Sequence, residues 1–325
     1  MKFLILRFSS IGDIVLTTPV IRCLRLQMPE AEIHFLCRQN FREVLEHNPY
    51  INKNIFFIDD VAEVIDELKK ENYDYIIDLH HNFRSLKVKL ALKTKSFSFN
   101  KLNVEKWLMV NLKINCLPKK HIVDRYLETI SSFGIKNDGQ GLDYFISEND
   151  EKAIEKLPEG FGENFIAWAI GAQHATKQLP IEKMISIAGK IKLPVVLLGG
   201  KEDVIKSNEL IKHFHYPVYN GCGMFSINES AAIIKHAQHV LTHDTGMMHI
   251  AAAFRKNIIS VWGNTIPEFG MSPYLPAGFA SNNSIVQVNN LSCRPCSKIG
   301  YQKCPKGHFK CMKEIHENEI INNLH

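Results

Sequence analysis

The chain has 325 residues, 45% hydrophobic and 22% charged, with 18 Gly and 13 Pro. That composition excludes disordered, collagen-like and coiled-coil classes, and the length predicts two domains at about 100–200 residues each. The net charge of +5 is too mild for a nucleic-acid binder, and no nucleic-acid partner is expected.

From the start, Lys2–Phe8 (KFLILRF) reads as a buried strand, followed by a helix over Gly12–Gln27 that stops before Pro29. Glu32–Cys37, Asn54–Ile58 and Tyr73–Leu79 read as further strands, with helical spacing over Val61–Lys70. The pattern then restarts. Phe165–Ile170, Val195–Leu198, His239–Thr242 and Ile258–Trp262 read as strands, with helices over Glu182–Ile191, Val204–His213 and Glu229–His236. Strands alternating with helices predict an α/β chain of two doubly wound parallel sheets. The join falls in the polar stretch Ser147–Asn164, giving domains over residues 1–155 and 156–325. Two such domains place a cleft at the carboxyl ends of the strands, so useful residues belong in loops that follow strands.

Charge is unevenly spread. Residues 81–125 hold eleven Lys and Arg against Glu105 and Asp124, a local +9 that leaves −4 for the rest. Such a block predicts a localised anionic partner, although many of its lysines would simply solvate helix faces. No run of about 18 apolar residues appears, and residues 1–6 are too short for a secretory signal, so a cytosolic protein is expected. Cys23, Cys37, Cys116 and Cys222 are scattered, which suits reduced thiols. Cys293, Cys296, Cys304 and Cys311 crowd together near His308. One C-x-x-C pair suits a structural zinc site, but the second pair is spaced too widely for a zinc ribbon, and reduced thiols under a loop-rich cap are the alternative.

Three loops stand out. Ser9-Ser10-Ile11-Gly12-Asp13 opens a helix after the first strand; Asp13 is a candidate base or, equally simply, an acid in a first helical turn. Gly171-Ala172-Gln173-His174-Ala175-Thr176-Lys177 combines small residues, a hydroxyl and an ammonium, which suits an anion. His243-Asp244-Thr245-Gly246-Met247-Met248-His249 follows a strand and enters an Ala-rich helix. Asp244 or Thr245 can cap that helix, Gly246 allows close backbone approach, and His249 sits in its first turns. Gly263-Asn264-Thr265 adds to the same half. Gly199-Gly200-Lys201-Glu202-Asp203 offers an acid for a ribose diol or a plain tight turn.

These segments together resemble glycosyltransferase family 9, the ADP-heptose:lipopolysaccharide heptosyltransferases, over essentially the whole chain. The likeness is carried by KFLILRFSSIGDIVLTTPVI, HATKQLP, HDTGMMHIAAAF and VWGNT, and by a tail, CRPCSKIGYQKCPKGHFKCM, that is similar to heptosyltransferase II-type members. The resemblance implies a glycosyltransferase B fold, two Rossmann-like domains facing a cleft, with the acceptor on the N-terminal domain and the nucleotide sugar on the C-terminal one. It implies Asp13 as general base and Thr176 and Lys177 as diphosphate contacts. Asp244, Thr245, Gly246 and His249 match the donor motif; Asp203 matches a ribose contact and Phe225 an apolar residue beside adenine. Ser10, Gly12, His81 and Arg84 are the expected acceptor contacts. The implied activity is inverting transfer of heptose from ADP-heptose to a Kdo- or heptosyl-lipid A acceptor, with no cofactor required for catalysis. The basic block then meets an anionic glycolipid or membrane, at the inner face of the cytoplasmic membrane. The rival readings are another sugar-nucleotide transferase or epimerase of the same fold, and a non-catalytic basic adaptor for membrane or RNA.

Overall fold

The structure is a computed structural model and describes residues 1–162 and 164–324. Eleven strands are found among these residues: β1 Lys2–Leu6, β2 Glu32–Arg38, β3 Lys53–Phe57, β4 Tyr75–Asp78, β5 Lys95–Ser98, β6 Ile166–Ala169, β7 Val195–Leu198, β8 Val218–Asn220, β9 His239–His243, β10 Asn257–Trp262 and β11 Asn283–Gln287. They form two wholly parallel sheets, ordered β3-β2-β1-β4-β5 and β11-β10-β9-β6-β7-β8. Parallel strands need helical crossovers that cover both faces, which explains why the central strands are buried runs rather than alternating ones. β1 (KFLIL) and β7 (VVLL) show this directly.

The chain divides into two compact units. Unit 1 comprises residues 1–102 and 120–145; unit 2 comprises residues 103–119 and 146–325. The passage into unit 2 therefore comes at Phe145, ten residues ahead of the expected 155/156 boundary. Residues 103–119 also belong with the second unit, not the first. The Lys113 ammonium donates to the carbonyls of Val110 and Pro295, at 2.7 and 2.6 Å, which ties that segment to the C-terminal tail. Unit 1 builds its core from Leu4, Leu6, Phe8, Leu36, Phe57 and Ile76. Unit 2 packs Trp168, Leu197, Leu241 and Val261 against Met312, Ile315, Ile320 and Leu324 of the tail, so the tail is part of the core.

The helix expected over Gly12–Gln27 is two helices, Ile11–Val15 and Thr18–Gln27. The hydroxyls of Thr17 and Thr18 donate back to the carbonyls of Ile14 and Val15, and Pro19 lacks an N–H, so the ladder restarts there. The first sheet changes direction between β1 and β4, the second between β6 and β9. In open parallel sheets, ligands gather outside the carboxyl ends of strands at such switch points. That picks out the loops after β1 and β4 in unit 1 and after β6 and β9 in unit 2.

Candidate functional site

In unit 1 the loop after β1 is organised by Arg7. Its side chain is buried, 8% exposed, and donates to the Leu79 carbonyl after β4 (2.6 Å), the Tyr126 hydroxyl (2.9 Å) and the Ser9 carbonyl (2.8 Å). Its remaining nitrogen pairs with Asp13 Oδ2 at 2.8 Å. The Ser10 hydroxyl donates to the same oxygen at 2.9 Å, and the Ser10 N–H lies 3.3 Å away. Burial alone would lower the Arg7 pKa, but the Asp13 carboxylate holds it above its ordinary value. A permanently charged, buried guanidinium thus fixes the carboxylate of Asp13 at the mouth of the first switch point.

The acceptor candidates sit around that loop to different degrees. Ser10 is exposed and bonded to Asp13, whereas Gly12 is buried in the short helix. His81 is exposed in the loop after β4, and Arg84 is exposed in the first turn of the helix Phe83–Leu92 that follows. His81 hydrogen-bonds through Nδ1 to the Phe99 carbonyl (2.9 Å), and its neighbour Asn82 caps the helix Phe83–Leu92. Asp78 shapes this loop from beneath. It is fully buried, pairs with Lys89 at 2.8 Å, and accepts from the N–H groups of His80 and His81. Burial would raise its pKa, but Lys89 and the His81 N–H hold it below the usual carboxylate range.

In unit 2 the loops after β6 and β9 meet. Lys177 Nζ lies 2.6 Å from Asp244 Oδ2 and 3.2 Å from the Asp244 carbonyl. The Thr265 hydroxyl, in the loop after β10, donates to the same Oδ2 at 2.8 Å. The Leu179 N–H donates to His243 Nε2 at 3.1 Å, and burial pushes the His243 pKa down to about 3. Thr245 takes the extended N-cap position of the helix Gly246–Ala253 without its side chain closing on the helix N–H groups. The helix lies against the sheet through Met248, Ile250, Ala251 and Ala252; His249 is likewise buried, 2% exposed. Thr176 is buried beside Lys177.

The other donor candidates stand further out or are already engaged. Asp203 is 3% exposed, accepts from the Gly200 N–H (3.1 Å) and pairs with Lys206 (3.3 Å). Its carboxylate also rests on Gly171, where an added Cβ would lie 2.1 Å from Asp203 Oδ2. It therefore braces two loops. Phe225, half-buried after the edge strand β8, stacks at a tilt on Tyr219, with Lys156 5.7 Å from its ring centre.

The sequence reading missed what holds these loops in place. Arg294, in the Cys-rich tail, donates to the Gly263 carbonyl (2.6 Å), the Thr265 carbonyl (2.8 and 3.2 Å), the Val288 carbonyl (3.1 Å) and Gln287 Oε1 (2.6 Å). Tyr301 N–H donates to the Thr176 hydroxyl (2.8 Å), and the Thr176 N–H returns to the Tyr301 carbonyl (3.1 Å). Gly263 allows the loops to close, because a Cβ there would lie 2.7 Å from the Thr176 carbonyl. Most of these acceptors are backbone oxygens, which carry no residue signature.

The tail's cysteines were candidates for a metal. Cys293 Sγ lies 3.8 Å from His308 Nε2. Burial first, and neighbouring thiols second, push Cys296 upward, while Cys311 is pushed up to about 12. Among the described residues, no three ligand atoms of this cysteine cluster and His308 lie within 4.8 Å of one another. Among the described residues, the one group of three or more such side chains with ligand atoms within 4.8 Å is Glu32, His34 and Glu71. That group is at the opposite, amino ends of the first sheet's strands. Lys2 pairs with both acids and Lys53 with Glu71, so ammonium groups already neutralise it.

Comparison with known proteins bears on the family and the fold. Residues 61–305 match the model of glycosyltransferase family 9 (heptosyltransferase). The chain is 23% identical to lipopolysaccharide heptosyltransferase 1 of Campylobacter coli, over 99% of this chain and 97% of that one. Among solved structures it is similar to a family 9 glycosyl transferase of Veillonella parvula, with TM-score 0.77, 20% identity and coverage of 99% and 95% of the two chains. It is also similar to E. coli heptosyltransferase WaaC with ADP, with TM-score 0.68, 18% identity and coverage of 99% and 98%. The two parallel-sheet units are those of a glycosyltransferase B fold. On its sequence match and its fold, this chain belongs to glycosyltransferase family 9.

Proposed function

We propose that the chain moves heptose from ADP-heptose, with inversion, to the inner core of a lipopolysaccharide. The reading rests on Asp13, a carboxylate fixed by buried Arg7 at the first switch point. It is supported by the names of relatives, which are lipopolysaccharide heptosyltransferases, and by a similar structure that holds ADP. The II-type likeness of the tail belongs to the same proposal, as does a site of work at the inner face of the cytoplasmic membrane. No helix among the described residues is long and apolar enough to cross a membrane.

In this mechanism Asp13 takes the proton of the acceptor hydroxyl as its oxygen bonds to the anomeric carbon. The bond from that carbon to the β-phosphate oxygen breaks, and ADP leaves with the electron pair. Lys177 and the N–H groups at the start of Gly246–Ala253 stabilise the charge that develops on ADP. Lys177 is held by Asp244 until an anion competes for it, and Thr265 keeps Asp244 in place when Lys177 turns away. Arg7 and Ser10 hold the Asp13 carboxylate in place, and the proton moves as the acceptor oxygen gives its lone pair to the new bond and becomes acidic. Every group named belongs to the chain, and transfer should survive exhaustive dialysis against a chelator; loss of turnover restored by a divalent ion would overturn that part of the reading.

The test is Asp13→Asn. It keeps the size and the Ser10 contact but removes the proton acceptor. Turnover of ADP-heptose with a Kdo-lipid A acceptor should fall by at least about 100-fold, while ADP affinity stays within a few-fold. A variant with the wild-type rate would end the assignment.

A further inference from the structure

The helix Asn103–Leu112 (NVEKWLMVNL) and the loop after it, to residue 119, contain no buried residue at all. Yet they carry Val104, Trp107, Leu112 and Ile114 in the open, with Trp107 56% exposed. Leaving such side chains in water forgoes the gain from burying them, so an apolar helix left uncovered marks a surface meant for something else. Lys113 binds this segment to the carbonyl of Pro295 in the Cys-rich tail. The tail continues the same character: Ile299 is 55% exposed, and Lys298, Lys303 and Lys306 all face solvent. Residues 103–119 and 293–310 together hold eight Lys and Arg against one acid, Glu105.

We infer that this joined surface of unit 2, with Trp107 and Ile299 as its apolar contacts and Lys119, Lys298, Lys303 and Lys306 as its charges, docks the protein on an anionic lipid bilayer. Exposed indole beside ammonium groups is the composition that settles at a lipid headgroup layer. Its ring enters the boundary with the acyl chains while the lysines meet lipid phosphates. This moves the anion-facing part of the basic stretch. Lys87, Lys89 and Lys120 of residues 81–125 are paired with Asp60, Asp78 and Glu128, whereas the tail lysines 298, 303 and 306 have no acid within ion-pair distance among the described residues. A lipid-borne acceptor is part of the proposed function, and the inference rests on that reading only for its purpose, not for its observations.

The protein carries its own probe. It has three tryptophans, and Trp168 and Trp262 are buried at 0% and 1%, so a change of fluorescence on binding reports Trp107. With vesicles of phosphatidylglycerol and phosphatidylcholine, the emission should shift to the blue and be quenched by brominated acyl chains. Pure phosphatidylcholine should do neither. Trp107→Ala should abolish the response. A Lys298→Gln, Lys303→Gln, Lys306→Gln variant should partition at least about tenfold more weakly, and high salt should have the same effect on wild type. Absence of quenching, or binding that the triple variant leaves intact, would overturn the inference. So would a Trp107-dependent dimer in light scattering without vesicles. Transfer to a delipidated core oligosaccharide separates the two claims. The Trp107 and Lys variants should keep that rate, and a wild-type protein that binds vesicles but transfers nothing would sink the transferase reading alone.

Discussion

Replacing Arg294 with Met tests whether the tail shapes the donor loops or only caps them. The guanidinium serves four acceptors: the carbonyls of Gly263, Thr265 and Val288, and Gln287 Oε1. Among the described residues no carboxylate lies within ion-pair distance of it, and burial pulls its pKa below the usual arginine value, so its charge is held by backbone dipoles. Removing it leaves the loop carbonyls without their donor, at about 1 kcal/mol each after partial hydration. Unfolding free energy should therefore fall by about 3–4 kcal/mol, read from urea denaturation. The functional effect follows the chain of contacts. Arg294 holds the Thr265 carbonyl, the Thr265 hydroxyl holds Asp244, and Asp244 holds Lys177. A loosened loop should weaken ADP binding by at least tenfold, about 1.4 kcal/mol by titration calorimetry. Arg294→Lys, which reaches one carbonyl rather than three, should fall between. A Met variant with reduced stability but unchanged ADP affinity would show that the tail is a staple without influence on the loops.

Lys177→Ala should raise the donor KM and lower kcat together, because the ammonium serves both binding and the departing charge; a variant unchanged in both would remove Lys177 from the site. Acid should destabilise the protein through His243. Its folded pKa lies near 3, below the ordinary histidine value of 6.5, so the unfolded chain binds the extra proton first. That contribution to stability is complete above about pH 7 and is lost as pH falls from there toward 3. His243→Gln keeps an acceptor for the Leu179 N–H and should flatten this part of the stability curve; an unchanged slope would assign the acid loss elsewhere.

How far residues reveal their own placement varies along the chain. β7 matches its expected bounds, Val195–Leu198, because a four-residue apolar run is bracketed by Pro194 and Gly199. β5 and β11 escaped because they are edges: Lys95-Ser96-Phe97-Ser98 and Asn283-Ser284 carry polar side chains that an edge tolerates and a central strand does not. Asp13, Lys177 and Asp244 could be singled out because they follow apolar strands, and the structure places each in an ion pair there, Asp13 with Arg7 and Lys177 with Asp244. Arg7 could not, since the run KFLILRF gives no sign that its last charge turns inward toward Asp13. Asp203 was read either as an acid for a ribose diol or as part of a plain tight turn; the structure holds it against Gly171 and Lys206, and a loop acid shows the same sequence pattern in both cases. The grouping of residues 103–119 with the second unit depends on Lys113 reaching a carbonyl about 180 residues away, and no local periodicity encodes that.

The pairing of Thr176 with Tyr301 also sets the order in which the protein matures. The two residues are 125 positions apart. At about 5–20 residues per second, a ribosome leaves the Lys177 loop without its buttress for on the order of 6–25 s. Unit 1, whose last segment ends at Phe145, has all its strands before that interval begins. The nascent chain thus assembles the surroundings of Asp13 well before the loops of unit 2 are finished. Ligand added during synthesis would find nothing to stabilise until Arg294 and Tyr301 emerge, so nucleotide rescue of folding should appear only in full-length chains.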